Sequence, residues 1–209
     1  MTGIQTWLDG QTRHTAPLLA TEADGLTVQT HLRGRERKRL TLTRHPDFDA
    51  IMIDMVEAGL QDPAWQGFVY VMFTGAEDHL VPRYIGKAER GGVRNTLSAN
   101  LARIRTNMDK FGRWGYNSAY HLGDLSHAVL VGAFKPGPPK RSYARWRDAL
   151  FVSSHPPVLR TPVCVHLLPW RCGMRGPSGL VGSVAAVEYE LIALAGAAYP
   201  AELLNTLGR

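Results

Sequence analysis

The sequence predicts an α+β domain, an α/β sandwich in which a small mixed sheet of three to five strands is flanked by helices. Two patterns carry this reading. Residues 67–73 and 82–86 are β-rich runs joined by turn residues, and apolar side chains recur at helical spacing over 47–60, 93–108 and 184–195. With 209 residues and 44% hydrophobic content, the chain can bury the core of one elaborated domain.

Residues 1–66 read as an N-terminal addition. It holds strands near 26–32 and 39–43 around a basic tip, then a helix over 47–60 opened by Asp47 or Asp49. Ile51, Met55, Val56 and Leu60 form that helix's apolar face. The remainder, 67–209, reads as a second unit. Its first strand, 67–73, is aromatic and β-branched; Thr74 to Asp78 is turn chemistry, and 82–86 returns, placing Tyr70 and Tyr84 on neighbouring strands. Past Gly91-Gly92, the residues Val93, Leu97, Leu101, Ile104 and Met108 predict a helix with Arg94 at the margin of its stripe and Arg103 further round. The aromatic and glycine-rich run 114–124 reads as a loop, in which a packing role for His121 is favoured over proton transfer.

Residues 127–134 and 163–168 read as strands that complete the sheet. Lys135 to Lys140 breaks the chain and opens an insertion over about 135–162, which includes a basic aromatic helix with Tyr143, Arg145, Trp146 and Arg147. In the closing helix Val184, Val187, Leu191, Leu194 and Ala195 make one stripe. Glu188 lies about 60° from the stripe's centre and Glu190 nearly opposite. A carboxylate at a core margin is seldom structural unless it is paired, which makes Glu188 a candidate catalytic or metal-binding group.

The formal charge is +6, concentrated between His31 and His45. Arg33, Arg35, Arg37, Lys38 and Arg39 form a candidate nucleic-acid-binding tip, with Arg44 just beyond it. Met1 to Ala20 lacks the pattern of a signal peptide, and the apolar stretch 180–204 is interrupted by Glu188, Glu190 and Pro200. A cytoplasmic, non-membrane protein with reduced Cys164 and Cys172 is expected. His155, Cys164, His166 and Cys172 match no common zinc spacing.

Phe68-Val69-Tyr70 and Tyr84-Ile85-Gly86, with Lys87, Arg94, Glu188, Leu191-Ile192, Pro200 and Asn205 in order, resemble the GIY-YIG nuclease family over 67–110 and 183–206. The second signature matches fully. The first keeps only its tyrosine, and Ser98 stands where His or Tyr is usual. The resemblance implies a metal-dependent DNA endonuclease, restriction-like or modification-dependent. Tyr70 or Tyr84 would orient or deprotonate water, with Lys87 and Arg94 lowering the phenol pKa and Arg94 bracing the phosphate. Glu188 would hold Mg²⁺ or Mn²⁺, and Asn205 would fix the site. DNA is the implied partner, and the reading admits a homodimer. A structure-specific repair endonuclease and a non-catalytic nucleic-acid-binding protein are the alternatives.

Overall fold

The computed structural model describes residues 3–34, 36, 38–92 and 96–206. In chain order the elements are α1 (Gly3–Asp9), β1 (His14–Pro17), β2 (Thr30–Arg33), β3 (Arg39–Leu42), α2 (Pro46–Gln61), β4 (Trp65–Thr74), β5 (Val81–Glu89), α3 (His121–Val129), α4 (Arg141–Leu150), β6 (Phe151–Ser154), β7 (Pro157–Leu159), β8 (Val163–Arg171) and α5 (Val184–Ala198). The protein is α+β. Its central sheet has four strands in the order β1-β8-β4-β5, with β2–β3 and β6–β7 as separate two-stranded ribbons. All pairings in the central sheet are antiparallel, where the sequence suggested a mixed sheet.

β4 is apolar on both faces and lies inside the sheet, paired on one side with β5 and on the other with β8. Successive side chains point to opposite faces, so β4 sorts its residues into two cores. Val69, Val71 and Phe73 join Ile85 beneath α5, where they pack on Val184, Val187, Leu191 and Ile192, with Ile4 and Leu8 of α1 beside them. Phe68, Tyr70 and Met72 face the other core, formed with Phe48 and Met52 of α2, Trp114, Leu125 of α3 and Trp146 of α4. No described helix is long and apolar enough to cross a membrane.

Residue 66 marks no break in this core. β1 is an edge strand of the central sheet and α2 packs against it, so the N-terminal segment supplies part of the layer that carries the two tyrosines. α2 begins at Pro46, with His45 accepting the Asp47 amide as its cap and Asp47 and Asp49 in its first turn.

Three elements differ from expectation. The helix expected over 93–108 is absent from its described part: 96–108 is a series of turns, and Val93 to Asn95 lie outside the described residues. Leu101 and Ile104 are buried, as their apolar spacing required. Short backbone bonds close separate turns there, Ala102 N–H donating to the Ser98 carbonyl and Asn107 N–H to that of Arg103, and a side chain ties them together. Asn107 Nδ2 donates to the carbonyls of Ala99 and Ala102, and Arg103 adopts a left-handed φ of 53°, which no α-helix accommodates. The strand expected at 127–134 is the end of α3 followed by a turn, and the loop expected at 114–124 contains the start of α3. Every residue of α3 is buried, including its polar row of His121, Asp124 and His127, so its polar residues face protein and not solvent.

Candidate active site

β5 is the edge strand beside β4, and a cleft of about 910 Å³ runs along it. Tyr84, Lys87 and Glu188 all line this cleft, although about a hundred residues separate Lys87 from Glu188 in the chain. Ile85 and Lys87 share the face of β5 toward α5, which brings Lys87 Nζ to 3.9 Å from Glu188 Oε2. Lys87 also donates to Glu89 Oε1 at 2.9 Å. Burial raises the Glu188 carboxyl above the ordinary carboxylate range, against the pull of Lys87. Glu190 points away, accepting the Ser178 amide at 2.9 Å, so the helix places Glu188 and not Glu190 at the cleft.

Tyr70 and Tyr84 lie on the opposite face of the β4–β5 pair, with ring centroids 6.3 Å apart and planes 29° from parallel. Tyr70 sits directly across from Gly86, and a β carbon at that glycine would come within 2.4 Å of the Tyr70 hydroxyl. The third residue of the Tyr84-Ile85-Gly86 run is therefore a glycine because the neighbouring phenol covers it. Tyr70 is buried, and its hydroxyl is 2.7 Å from His121 Nε2, whose Nδ1 is 2.8 Å from the Tyr143 hydroxyl. Burial pushes the His121 pKa down to about 3, so the imidazole is neutral. In a neutral imidazole one nitrogen donates and the other accepts, which links the two phenols into one directional chain.

Tyr84 is only half-buried, and its ring is gripped by Tyr70 on one side and by Trp146, 4.7 Å away, on the other. Burial raises the pKa of both Tyr70 and Tyr84. The expectation that Lys87 and Arg94 depress these phenols rests in part on Arg94, which lies outside the described residues; among the described groups, Lys87 acts on Glu188 and desolvation dominates at the tyrosines. Arg113, which also lines the cleft, offsets it only partly.

Asn205 is buried and does not line the cleft. Its side chain accepts the Ile85 amide at 3.0 Å and donates to the Ile85 carbonyl at 2.8 Å, a two-point clasp that closes the outer edge of β5 between Tyr84 and Gly86. Its role here is to fix the strand. Arg94 lies outside the described residues. The sequence reading missed Arg113, Tyr143 and Trp146 as parts of the site and treated His121 as packing. The aromatic density of 114–146 was their only signal.

Of the basic tip, Arg35 and Arg37 lie outside the described residues. Arg33 pairs with Asp109 at 3.2 Å and stacks on Tyr116, Lys38 pairs with Glu36, and Arg39 lies 6.0 Å over the Phe134 ring. Arg33, Lys38 and Arg39 do not line the cleft. Arg44 is a core residue: its guanidinium is buried between Phe111 and Tyr116 and bound to Asp49 and the Trp114 carbonyl.

Among the described residues, no three of His, Cys, Asp and Glu cluster as metal ligands. Glu188 fits a hydrated Mg²⁺, which is commonly held by one or two carboxylates and keeps several waters. Its carboxylate lines an open cleft, and its one recorded ionic contact is the long one to Lys87. A scan against protein-family models and searches of curated proteins and of solved structures find no match to this chain.

Proposed function

We propose that the protein is a metal-dependent DNA endonuclease of the GIY-YIG kind, hydrolysing phosphodiester bonds in the cleft along β5. One observation carries this reading. A phenol, an ammonium group and a partly desolvated carboxylate, drawn from distant parts of the chain, converge on one open groove. Each has a task in phosphodiester hydrolysis, which needs an oriented water and charge placed around the phosphoryl group.

Tyr84 orients the attacking water. Its raised pKa keeps the phenol neutral, so it acts as a hydrogen-bonding group, held rigid between Tyr70 and Trp146. Tyr70 is a positioning residue, fixed by His121 and shielded from solvent. Lys87 balances the Glu188 charge and holds positive potential at the cleft wall. Glu188 would hold Mg²⁺ or Mn²⁺, which when bound supplies Lewis-acid charge at the scissile phosphate and at the departing 3′ oxygen. The formal charge of +6 suits a polyanionic substrate.

The test is incubation with Mg²⁺ or Mn²⁺ and a panel of plain, modified, branched and single-stranded DNA, followed by sequencing of the ends. Cleavage that requires the metal and Glu188 supports the reading. Binding without cleavage of any member overturns it in favour of a nucleic-acid-binding protein, and preference for branched over plain duplex marks repair-type rather than restriction-type cleavage.

A further inference from the structure

We infer that Arg113 is a phosphate-binding cation of this cleft, part of an anion subsite that rests on the nuclease reading for its role but not for its existence. Three described cations line the groove, and two are already engaged. Lys87 Nζ is bound to Glu89 at 2.9 Å, and the Arg90 guanidinium donates to the Asp62, Trp65 and Leu60 carbonyls at 2.6, 3.4 and 3.3 Å. The Arg113 guanidinium has no hydrogen bond or ion pair among the described residues; it lies 5.8 Å from the centre of the Tyr120 ring. A half-buried guanidinium without a partner is a poor structural element and a good receptor for a planar pair of phosphate oxygens.

The backbone supports the same conclusion. Arg113 has a φ of 76° and follows Gly112 at 52°, two consecutive left-handed residues of which only the first is a glycine. A long side chain is unfavourable there. The conformation is imposed from outside: Gly112 N–H donates to Asn100 at 2.9 Å, Arg113 N–H to Lys110 at 3.0 Å and Trp114 N–H to Phe111 at 2.7 Å, with the Phe111 and Trp114 rings fully buried on either side. The fold thus holds an arginine where glycine would fit better, at the wall of the cleft that also contains Tyr84 and Glu188. Its charge bears on both of these groups, as an anion receptor beside the reacting atoms requires.

Arg113→Gly separates function from folding, because it removes the guanidinium while relaxing the backbone. The variant should melt at least as high as wild type, yet single-turnover cleavage should fall about 10²- to 10³-fold, the usual loss for one transition-state donor. Sub-denaturing guanidinium chloride should restore part of the rate to Arg113→Gly and none to Glu188→Gln. Arg103→Gly is the matched control, since Arg103 is also left-handed, with φ 53°, but is exposed and away from the cleft. It should cleave as wild type does. In parallel, inorganic phosphate should raise the melting temperature of wild type and not of Arg113→Gly. Phosphate protection lost in Arg113→Gly by a protein that cleaves no DNA would refute the nuclease reading and leave the anion site standing. Unchanged cleavage with unchanged phosphate protection, or a lowered melting temperature without rescue, would overturn the inference while the nuclease reading stood.

Discussion

Tyr70 and Gly86 are cross-strand partners in which the phenol occupies the space a side chain would need, with its hydroxyl 2.4 Å from the position of an added β carbon. Gly86→Ala must therefore displace the ring and break its contact with His121. The expected cost is about 1–3 kcal/mol of stability together with lost cleavage. Urea unfolding of Gly86→Ala alone and in Tyr70→Phe and Tyr70→Ala backgrounds measures the coupling. Because two ring carbons also lie within 2.7 Å of the added β carbon, the penalty should shrink only in part in Tyr70→Phe and should largely vanish in a Tyr70→Ala background; an equal penalty in Tyr70→Ala would show that the strand, not the ring, sets the requirement.

If the cleft works as proposed, Glu188→Gln should abolish metal-dependent cleavage, by at least about 10²-fold, and leave DNA affinity nearly unchanged, because the carboxylate would serve the metal and not the phosphate backbone. Glu190→Ala removes the bond to the Ser178 amide and should cost about 1 kcal/mol of stability with little effect on turnover. Single-turnover rates beside binding isotherms test the pair. Reversed phenotypes would refute the assignment.

Stability should fall as the pH drops from 6.5 toward 3. His121 is held near a pKa of about 3 and His166 near about 4, so the unfolded chain takes up protons at about pH 6.5 that the native state refuses. The contribution is complete above pH 6.5 and is lost through this window at up to about 1.4 kcal/mol per pH unit for each histidine. Urea midpoints from pH 7 to 4 for wild type and His121→Gln should diverge, the variant showing the shallower fall. Parallel curves would mean that the imidazole is solvated.

Asn205→Ala leaves both backbone groups of Ile85 without their partner and should destabilise the protein by about 2–4 kcal/mol. Asn205→Asp keeps the acceptor for the amide but sets an oxygen against the Ile85 carbonyl, so it should rescue nothing. Thermal melts decide this, and a fully stable Asp variant would show that the clasp is dispensable.

Replacing Arg33, Lys38 and Arg39 with alanine should weaken DNA binding and reduce its salt dependence. Arg33 and Lys38 already have acidic partners, so the slope of log affinity against log salt should drop by less than the roughly three units expected of three free cations. Affinity at several salt concentrations measures it. An unchanged slope assigns the ribbon to packing on Tyr116 and Phe134.

What the sequence disclosed follows from where each signal is local. β4 and β5 were legible because turn residues separate two β-rich runs, and Glu188 stood out because α5 has one core-facing stripe. The stripe from Leu97 to Met108 foretold burial correctly but not conformation, since turns bring Leu101 and Ile104 inward as effectively as a helix. His121 was hidden for the opposite reason. Its helix is surrounded by protein, and its meaning depends on Tyr70, 51 residues earlier. Arg113 is set apart by a backbone angle, and no residue type announces one.

The Asn205 clasp joins positions 120 residues apart, and Glu188 arrives from nearly as far, so the stretch holding both tyrosines, Lys87 and Arg113 is chemically suggestive but incomplete by itself. Loops of this length must close before the outer edge of β5 is fixed, which ties assembly of the cleft to the latest and most cooperative steps of folding. A fragment spanning 65–113 would lack β8, α5 and the clasp, and would leave β4 bare on one side. On the proposed function, turnover would then report on the folded state as a whole: partly unfolded chains would be silent, because the cleft exists only in molecules that have finished folding.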